Sequence, residues 1–329
     1  MFAKVDGING TANAMTNITV PPGRGGGERR EGSEPMSNPD QVKVQRDIVV
    51  IIGAGGLGLA AARRLGVGRH LMVADLPGDR LDLAAEVLRS AGHEFTAWPT
   101  DASDPIAVSS LASEAARHGP IRTIVHTAGI SPTQARGGAA DVFRVNLYGT
   151  ALVLDAFLPT AQHGTVIACI ASQGGYRNAV SAETERLLAH TPTEHLLELK
   201  ALDPSNFTAA EAYAVSKRAT HVRVAAQSIQ WAARGARAVT VSPGFTVTPQ
   251  SMLELDGPNG DLIRNTLLAR PGARLGTPDD IAAVIEFVTG PAASFINGTD
   301  ILADGGAIAY QRWSDPTGES SYFSTRRPV

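Results

Sequence analysis

The sequence predicts an α/β fold, a Rossmann-type doubly wound parallel sheet of about seven strands in a single domain. Short apolar runs alternate with segments of helical periodicity from residue 47 onward. Several of these runs are apolar at every position, as strands covered by helices on both faces must be. The first run passes directly into Gly53-Ala54-Gly55-Gly56-Leu57-Gly58, a glycine turn that opens a helix.

The strands are expected at 48–52, 71–74, 95–98, 121–126, 165–171, 238–242 and 301–303. The intervals between them are long enough for right-handed crossovers. A helix follows the glycine turn over 59–65, and Leu81, Leu83, Ala84, Val87 and Leu88 make the apolar stripe of the next. The polar stretch 173–210 reads as an insertion beside the sheet and a candidate substrate lid, with Thr191, Pro192 and Glu194 matching a helix capping box. Leu262, Ile263, Thr266 and Leu267 give a further helical pattern, and Pro278, Asp279 and Asp280 suit the first turn of a late helix. Residues 1–46, rich in Gly, Asn, Pro and charge, read as a disordered leader, 47–307 as the Rossmann-fold domain and 308–329 as a tail. Trp313, Tyr322 and Phe323 in that tail suit either docking on a neighbour or a frayed end.

A chain of 329 residues that is 43% hydrophobic can bury a large core. Its net charge of −3 argues against nucleic acid or an anionic membrane surface as a partner and favours a small-molecule substrate. No run approaches the roughly 18 apolar residues of a membrane span, and a cytoplasmic location is the expectation. Cys169, the one cysteine, lies in an apolar strand and reads as an inert core thiol. No metal site is expected.

In the glycine turn Gly53 permits the sharp bend, Gly55 lets backbone approach a pyrophosphate and Gly58 allows close helix–strand packing, with Gly56 and Leu57 completing the cradle. The alternative is a glycine-rich turn without a ligand. Asp75 ends the second strand at the spacing from which a carboxylate reaches an adenosine ribose, followed by Leu76. Its charge would repel a 2′-phosphate, which favours NAD over NADP unless Arg80 compensates; a capping or solvent-facing aspartate is the plainer reading. Tyr213 and Lys217 are one helical turn apart, so phenol and ammonium share a face. At about 4 Å the lysine would favour the phenolate by roughly 4 kcal/mol at an effective dielectric of 20. A tyrosine so tuned exchanges a proton with an alcohol or ketone as hydride moves. A half-buried ring beside a surface charge has the same spacing.

With these pieces in order, the chain resembles the short-chain dehydrogenase/reductase family over 47–307. The resemblance rests on the glycine loop, Asp101, Thr127-Ala128-Gly129, Asn146 within Val145-Asn146-Leu147-Tyr148-Gly149, Ser172, Tyr213 with Lys217, Ser242-Pro243-Gly244, Arg274 to Pro278, and Asp304-Gly305-Gly306. It implies hydride transfer between a nicotinamide cofactor and a secondary alcohol or ketone. It also implies that Ser172 bonds the reacting oxygen, Tyr213 is the acid/base, Lys217 binds the nicotinamide ribose and Asn146 holds a relay water. Asp101 and Ala102 would flank adenine, Ala128 and Gly129 line the nucleotide, and Pro243, Gly244, Thr246 and Thr248 contact the nicotinamide side. A homotetramer or homodimer through helix faces around 135–160 and 210–233 is implied as well.

The pattern departs from the family in its tighter glycine loop, in His126-Thr127 where the family commonly has Asn-Asn, and in the long interval from Ser172 to Tyr213. His126 reads as a structural strand-end residue. Leu187, Leu188, Leu196, Leu197 and Leu199 of the insertion either line a pocket or pack it onto the domain. A non-catalytic NAD-binding regulatory protein and a lyase or epimerase using transient oxidation are the rival functions.

Overall fold

Alternation along the first strand sends its side chains to two covered faces. In β1 (Ile48–Ile52), Ile48, Val50 and Ile52 enter one apolar cluster while Val49 and Ile51 enter the other, and all are at most 1% exposed. The remaining strands are β2 (His70–Asp75), β3 (Glu94–Pro99), β4 (Ile121–His126), β5 (Val166–Ile170), β6 (Arg237–Pro243) and β7 (Asp300–Ala303). They form a seven-stranded sheet in the order β3-β2-β1-β4-β5-β6-β7, parallel throughout. The computed structural model describes residues 46–314 apart from 178–179, 258–259, 269 and 271. The expected leader, except its last residue, and Tyr322 and Phe323 of the tail lie outside the described residues.

The helices are α1 (Gly56–Leu65), α2 (Asp79–Ser90), α3 (Pro105–His118), α4 (Ala139–Val142), α5 (Gly149–Phe157), α6 (Ala182–His190), α7 (Ala209–Ala232), α8 (Pro249–Leu255), α9 (Gly260–Leu268), α10 (Pro278–Thr289) and α11 (Ala307–Trp313). Leu111 of α3, Phe157 of α5 and Trp231 of α7 fill one face of the sheet; Ala61 of α1, Leu81 of α2 and Ile285 of α10 fill the other. The expected stripe of α2 is narrower than its sequence: Leu81, Ala84 and Leu88 are buried, but Leu83 is 57% exposed because it points away from the sheet. Helices α9 and α10 form where their patterns place them.

The chain steps outward from β1 to β3 and then returns to the far side of β1 with β4. Such a reversal opens a crevice at the carboxyl ends of the two central strands. Here Ile52 closes β1 by accepting hydrogen bonds from Thr127 N at 2.7 Å and Ala128 N at 2.9 Å. The loops after β1 and β4 are thereby tied together at the crevice.

The insertion is packed against helices. Leu188, Leu196 and Leu202 are at most 2% exposed and pack in one cluster with Val142, Phe143, Leu147 and Ala151 on one side and Ala212, Val215 and Ala219 of α7 on the other. Burial of this kind contributes roughly 1.5–3 kcal/mol per large side chain. Leu187 and Leu197 remain exposed, and Leu199 is partly buried against the same cluster. The segment therefore packs on part of the helix faces at 135–160 and 210–233 that the family resemblance implies for assembly. The expected capping box at Thr191 does not form: the turn Thr193–Glu198 starts without a side-chain cap, because Pro192 takes the cap position. Thr191 instead ends α6, and its carbonyl is used by Arg223.

Arg223 of α7 holds the insertion in place. Its buried guanidinium donates to the carbonyls of Leu188 at 3.1 Å and Thr191 at 3.0 Å and to Thr193 Oγ1 at 2.8 Å, and Thr193 in turn donates to Asp155 of α5. Hydrogen bonds from a charged donor are worth about 1.5–3 kcal/mol each at most. Arg223→Met is expected to destabilise the docked segment by about 2 kcal/mol and to accelerate limited proteolysis within 180–205 by roughly tenfold or more, with the sheet intact. Unchanged cleavage would show that the leucine contacts alone hold it.

Candidate active site

The glycine loop is shaped by contacts that tolerate no side chain at two of its positions. Gly53 adopts φ +103°, and a Cβ there would lie 2.5 Å from Thr127 Oγ1. A Cβ on Gly58 would stand 1.7 Å from the Gly53 carbonyl oxygen, so α1 packs directly on the turn. A Cβ on Gly55 would meet nothing within 4 Å, which leaves that side of the loop open to a ligand. Helices α3, α6, α7, α8 and α10 are capped by Asp104, Ser181, Thr208, Thr248 and Thr277, whereas α1 has Gly55 at its cap and no acidic residue in its first turn. An uncapped helix start facing an open glycine loop suits a phosphate. Leu57, partly buried, packs on the core beneath.

Asp75 ends β2 with a carboxylate 9% exposed. Its Oδ2 accepts from Ala54 N at 2.7 Å and its Oδ1 from Leu76 N at 2.7 Å, so the side chain braces the glycine loop. Arg80 Nε lies 3.5 Å from Oδ2, reaching round as the sequence allowed. Asp101 accepts from Ser103 N at 2.8 Å and Ser103 Oγ at 2.7 Å, which shapes the turn before α3 around buried Ala102. On the opposite side Gly244 passes so close to β7 that a Cβ would lie 2.6 Å from Asp304 Cα. Thr246 bridges to Gly276, and Thr248, the cap of α8, places Cγ2 3.1 Å from the Cβ position of Gly56. Pro243 through Thr248 and the glycine loop thus face one crevice.

At the ends of β5 and α7 the fold brings Ser172, Tyr213 and Lys217 together. Gly174 lies between them: its Cβ position is 3.4 Å from both Ser172 Oγ and Tyr213 Cε1. The Ser172 hydroxyl accepts from Gly174 N at 3.0 Å and acts to lower the pKa of the neighbouring Tyr213 phenol. Lys217 is buried and donates from Nζ to the Ile170 carbonyl at 3.0 Å; burial pulls its pKa down to about 8. The expected direct coupling of ammonium and phenol is not what this arrangement gives. Lys217 Nζ lies 5.6 Å from the Tyr213 ring centroid, and burial holds the phenol above its ordinary pKa, opposed by Ser172. Glu254 acts in the same sense as burial and Arg177 against it.

Asn146 is fully buried in a π-helical turn (Phe143–Tyr148) between α4 and α5, a distortion frequent at functional sites. Its side chain brackets Ile130, accepting from N at 2.8 Å and donating to O at 2.9 Å. Asn146 Oδ1 and Lys217 Nζ both face Gly129, at 3.0 and 3.7 Å from its Cβ position. Thr150 Oγ1 donates to the Asn146 carbonyl at 2.7 Å and therefore accepts from His126 Nε2 at 3.1 Å. The assigned structural place of His126 is this buried chain.

A second chain behind the site was not read from the sequence. His221 Nε2 meets Ser242 Oγ at 2.7 Å; Ser242 donates to Asp300 Oδ1 at 2.9 Å, and Tyr176 OH donates to Asp300 Oδ2 at 2.6 Å. It ties the turn after Ser172, the helix of Tyr213 and Lys217, and the end of β6 into one unit. His221 is one turn beyond Lys217 on the same face, so the helical period that paired Tyr213 with Lys217 also reaches it.

Comparison with known proteins matches the model of "short chain dehydrogenase" to residues 47–183 and that of "Enoyl-(Acyl carrier protein) reductase" to residues 201–307. The chain is 34% identical to the short-chain dehydrogenase/reductase bsc3 of Alternaria brassicicola, over 81% of this chain and 97% of that one. It is 29% identical to a 3-alpha-hydroxysteroid dehydrogenase/carbonyl reductase of Comamonas testosteroni, over 69% and 91% respectively. A short-chain dehydrogenase from Burkholderia cenocepacia, solved in complex with NADP, superposes with a TM-score of 0.61 at 24% identity, over 80% of this chain and 97% of that chain.

The buried histidines make stability depend on pH. His126 and His221 each leave a buried Nδ1 without a partner among the described residues. Burial pushes His126 down to about 3 and lowers His221 against the opposing charge of Asp300. Above about 6.5 both are neutral in either state; as pH falls, the unfolded chain takes protons that the folded chain refuses, and stability drops. For His126 the loss between about pH 7.5 and 5.5 is about 1.4 kcal/mol. Urea unfolding of the protein and of His126→Asn at the two pH values checks this. Equal pH dependence in both proteins would contradict it.

Proposed function

Because the chain belongs to the short-chain dehydrogenase/reductase family of oxidoreductases, we propose that it transfers a hydride between NAD and the carbon of a secondary alcohol or ketone, with Tyr213 as the general acid/base. The observation that carries this reading is the convergence of Ser172 and Tyr213 across a long insertion, Ser172 Oγ and Tyr213 Cε1 each lying 3.4 Å from the Cβ position of Gly174, with buried Lys217 one turn along α7.

The family binds a nicotinamide cofactor, and the open glycine loop with its uncapped helix fits one. Backbone groups of Gly53 through Gly58 hold the pyrophosphate, and Asp75 with Leu76 meets the adenosine ribose. Asp101 and Ala102 flank adenine, Ala128 and Gly129 line the nucleotide, and Pro243, Gly244, Thr246 and Thr248 face the nicotinamide side. When bound, the cofactor supplies or accepts the hydride.

The chain's own residues move and hold the proton. Ser172 hydrogen-bonds the reacting oxygen and orients it toward the phenol. Tyr213 takes the proton of an alcohol or gives one to a carbonyl oxygen. Lys217 binds the nicotinamide ribose through its ammonium, which at neutral pH is largely protonated. Asn146 fixes the loop after β4 and holds a water beside Lys217 that connects the site to solvent.

Tyr213→Phe is expected to lower turnover by about 10²–10⁴-fold on an alcohol or ketone found active in a panel monitored by nicotinamide absorbance. Full turnover in that variant refutes the mechanism. The charge of Asp75 is expected to give a preference for NAD over NADP of about tenfold or more in kcat/KM, and Arg80→Ala to deepen it. A native preference for NADP overturns the cofactor assignment.

A further inference from the structure

The short helical turn Gln173–Tyr176 seats Ser172, and its glycines let it close tightly. Gly174 N donates to Ser172 Oγ at 3.0 Å and Gly175 N to the Ser172 carbonyl at 3.0 Å, so side chain and backbone of the serine are both held by the turn that follows it. Gly175 is pressed onto α7: a Cβ there would lie 2.7 Å from His221 Cε1 and 3.0 Å from Arg218 N. The lack of a side chain lets the turn approach the helix of Tyr213 this closely.

Such an approach has to be held, and Tyr176 supplies the tether. Its hydroxyl donates to Asp300 Oδ2 at 2.6 Å, and Asp300 Oδ1 accepts from Ser242 Oγ at 2.9 Å. Because Ser242 donates to Asp300, it accepts from His221 Nε2, 2.7 Å away. The Tyr176 ring lies 5.1 Å from the His221 ring. The series therefore closes on itself, running from the Ser172 turn through Tyr176 to β7, across to β6, and back to the histidine against which Gly175 rests. The side chains of His221 and Asp300 are nearly out of water, where hydrogen bonds hold a geometry more firmly. Arg312 of α11 donates to the Tyr176 carbonyl at 3.4 Å from the outer side.

Resting on the assignment of Ser172 to the reacting oxygen, we propose that Tyr176 is a positioning residue: by tethering its turn to Asp300 it fixes the Ser172 hydroxyl against Tyr213. The spacing at stake is short. The Cβ position of Gly174 is 3.4 Å from Ser172 Oγ and 3.4 Å from Tyr213 Cε1, so a turn that lifts from α7 carries the serine away from the ring. A misplacement of about 1 Å costs up to about 10²-fold in rate.

Tyr176→Phe keeps a ring against His221 and the carbonyl for Arg312 and removes the tether alone. It also leaves Ser242 on Asp300, so the segment from Pro243 onward stays anchored. In the cofactor-free protein, hydrogen exchange read by mass spectrometry on peptides spanning 171–177 is expected to quicken by about tenfold or more, with peptides of β1 and α1 unchanged. In single-turnover oxidation of bound NADH by an active carbonyl substrate, the variant is expected to react about tenfold more slowly while binding NADH with the same affinity by fluorescence titration. Added to Ser172→Ala, the same substitution is expected to change the rate by less than about twofold, because the hydroxyl it positions is gone. Unchanged exchange over 171–177, or exchange quickened throughout the protein, overturns the proposal. So does an equal slowing with and without the Ser172 hydroxyl, or a loss of NADH affinity that matches the loss of rate. If Ser172→Ala keeps full turnover, the proposed role of Ser172 fails and this proposal falls with it. If Ser172→Ala is slow and Tyr176→Phe is not, only the role of Tyr176 fails.

Discussion

The buried ammonium of Lys217 is the constraint to which the rest of the site answers. Taking such a charge from water costs several kcal/mol, and the hydrogen bond to the Ile170 carbonyl offsets only part of it, as the fall of its pKa to about 8 records. The lysine is held there because α7 is pinned on both sides. His221 reaches Ser242 at the end of β6, and Arg223, two residues on and facing the other way, grips the insertion. A helix fixed at these points carries Tyr213 to Ser172 with little freedom, and this preorganisation places the proposed acid/base group before any ligand arrives.

The sheet was legible in the sequence because its signal is local. Fully apolar runs such as 48–52 and 165–171 have few ways to be buried except as central parallel strands. The glycine turn was equally legible: the φ of Gly53 and the contact of Gly58 with the Gly53 carbonyl are requirements that only glycine meets. The tuning of the phenol was not. Spacing on a helix fixes which residues share a face, but not how far a lysine side chain extends or what it meets. Lys217 turns to a strand carbonyl from β5, a partner far away in sequence, and desolvation of Tyr213 outweighs the pairing that spacing suggested.

The insertion shows the same limit from another side. Its leucines announced burial without saying against what, since the helical period of 182–190 is satisfied by a pocket, a neighbouring subunit or the chain's own helices. The choice is made by Arg223 and Asp155, one on α7 and one on α5, whose polar groups match the exposed carbonyls and hydroxyl at the end of α6. Apolar burial supplies the affinity of the segment for the domain, and the hydrogen bonds fix its register.

On the proposed reading, Asp75 joins loop shape and cofactor choice in a single side chain. The glycine loop here is tighter than the family's usual form, and Asp75 Oδ2 stabilises it through Ala54 N while Oδ1 holds Leu76 N. A carboxylate with both oxygens engaged by backbone is fixed in orientation, so its negative potential toward a ribose 2′ position is constant. Replacing it would relax the electrostatic barrier and loosen the turn that receives the pyrophosphate at the same time. Arg80 is different: half-exposed, at 3.5 Å from the carboxylate, it alters the charge at the ribose edge without touching the loop. In this framework selectivity between the two nicotinamide cofactors is adjustable through the first turn of α2, whereas the end of β2 is committed to the architecture of the loop.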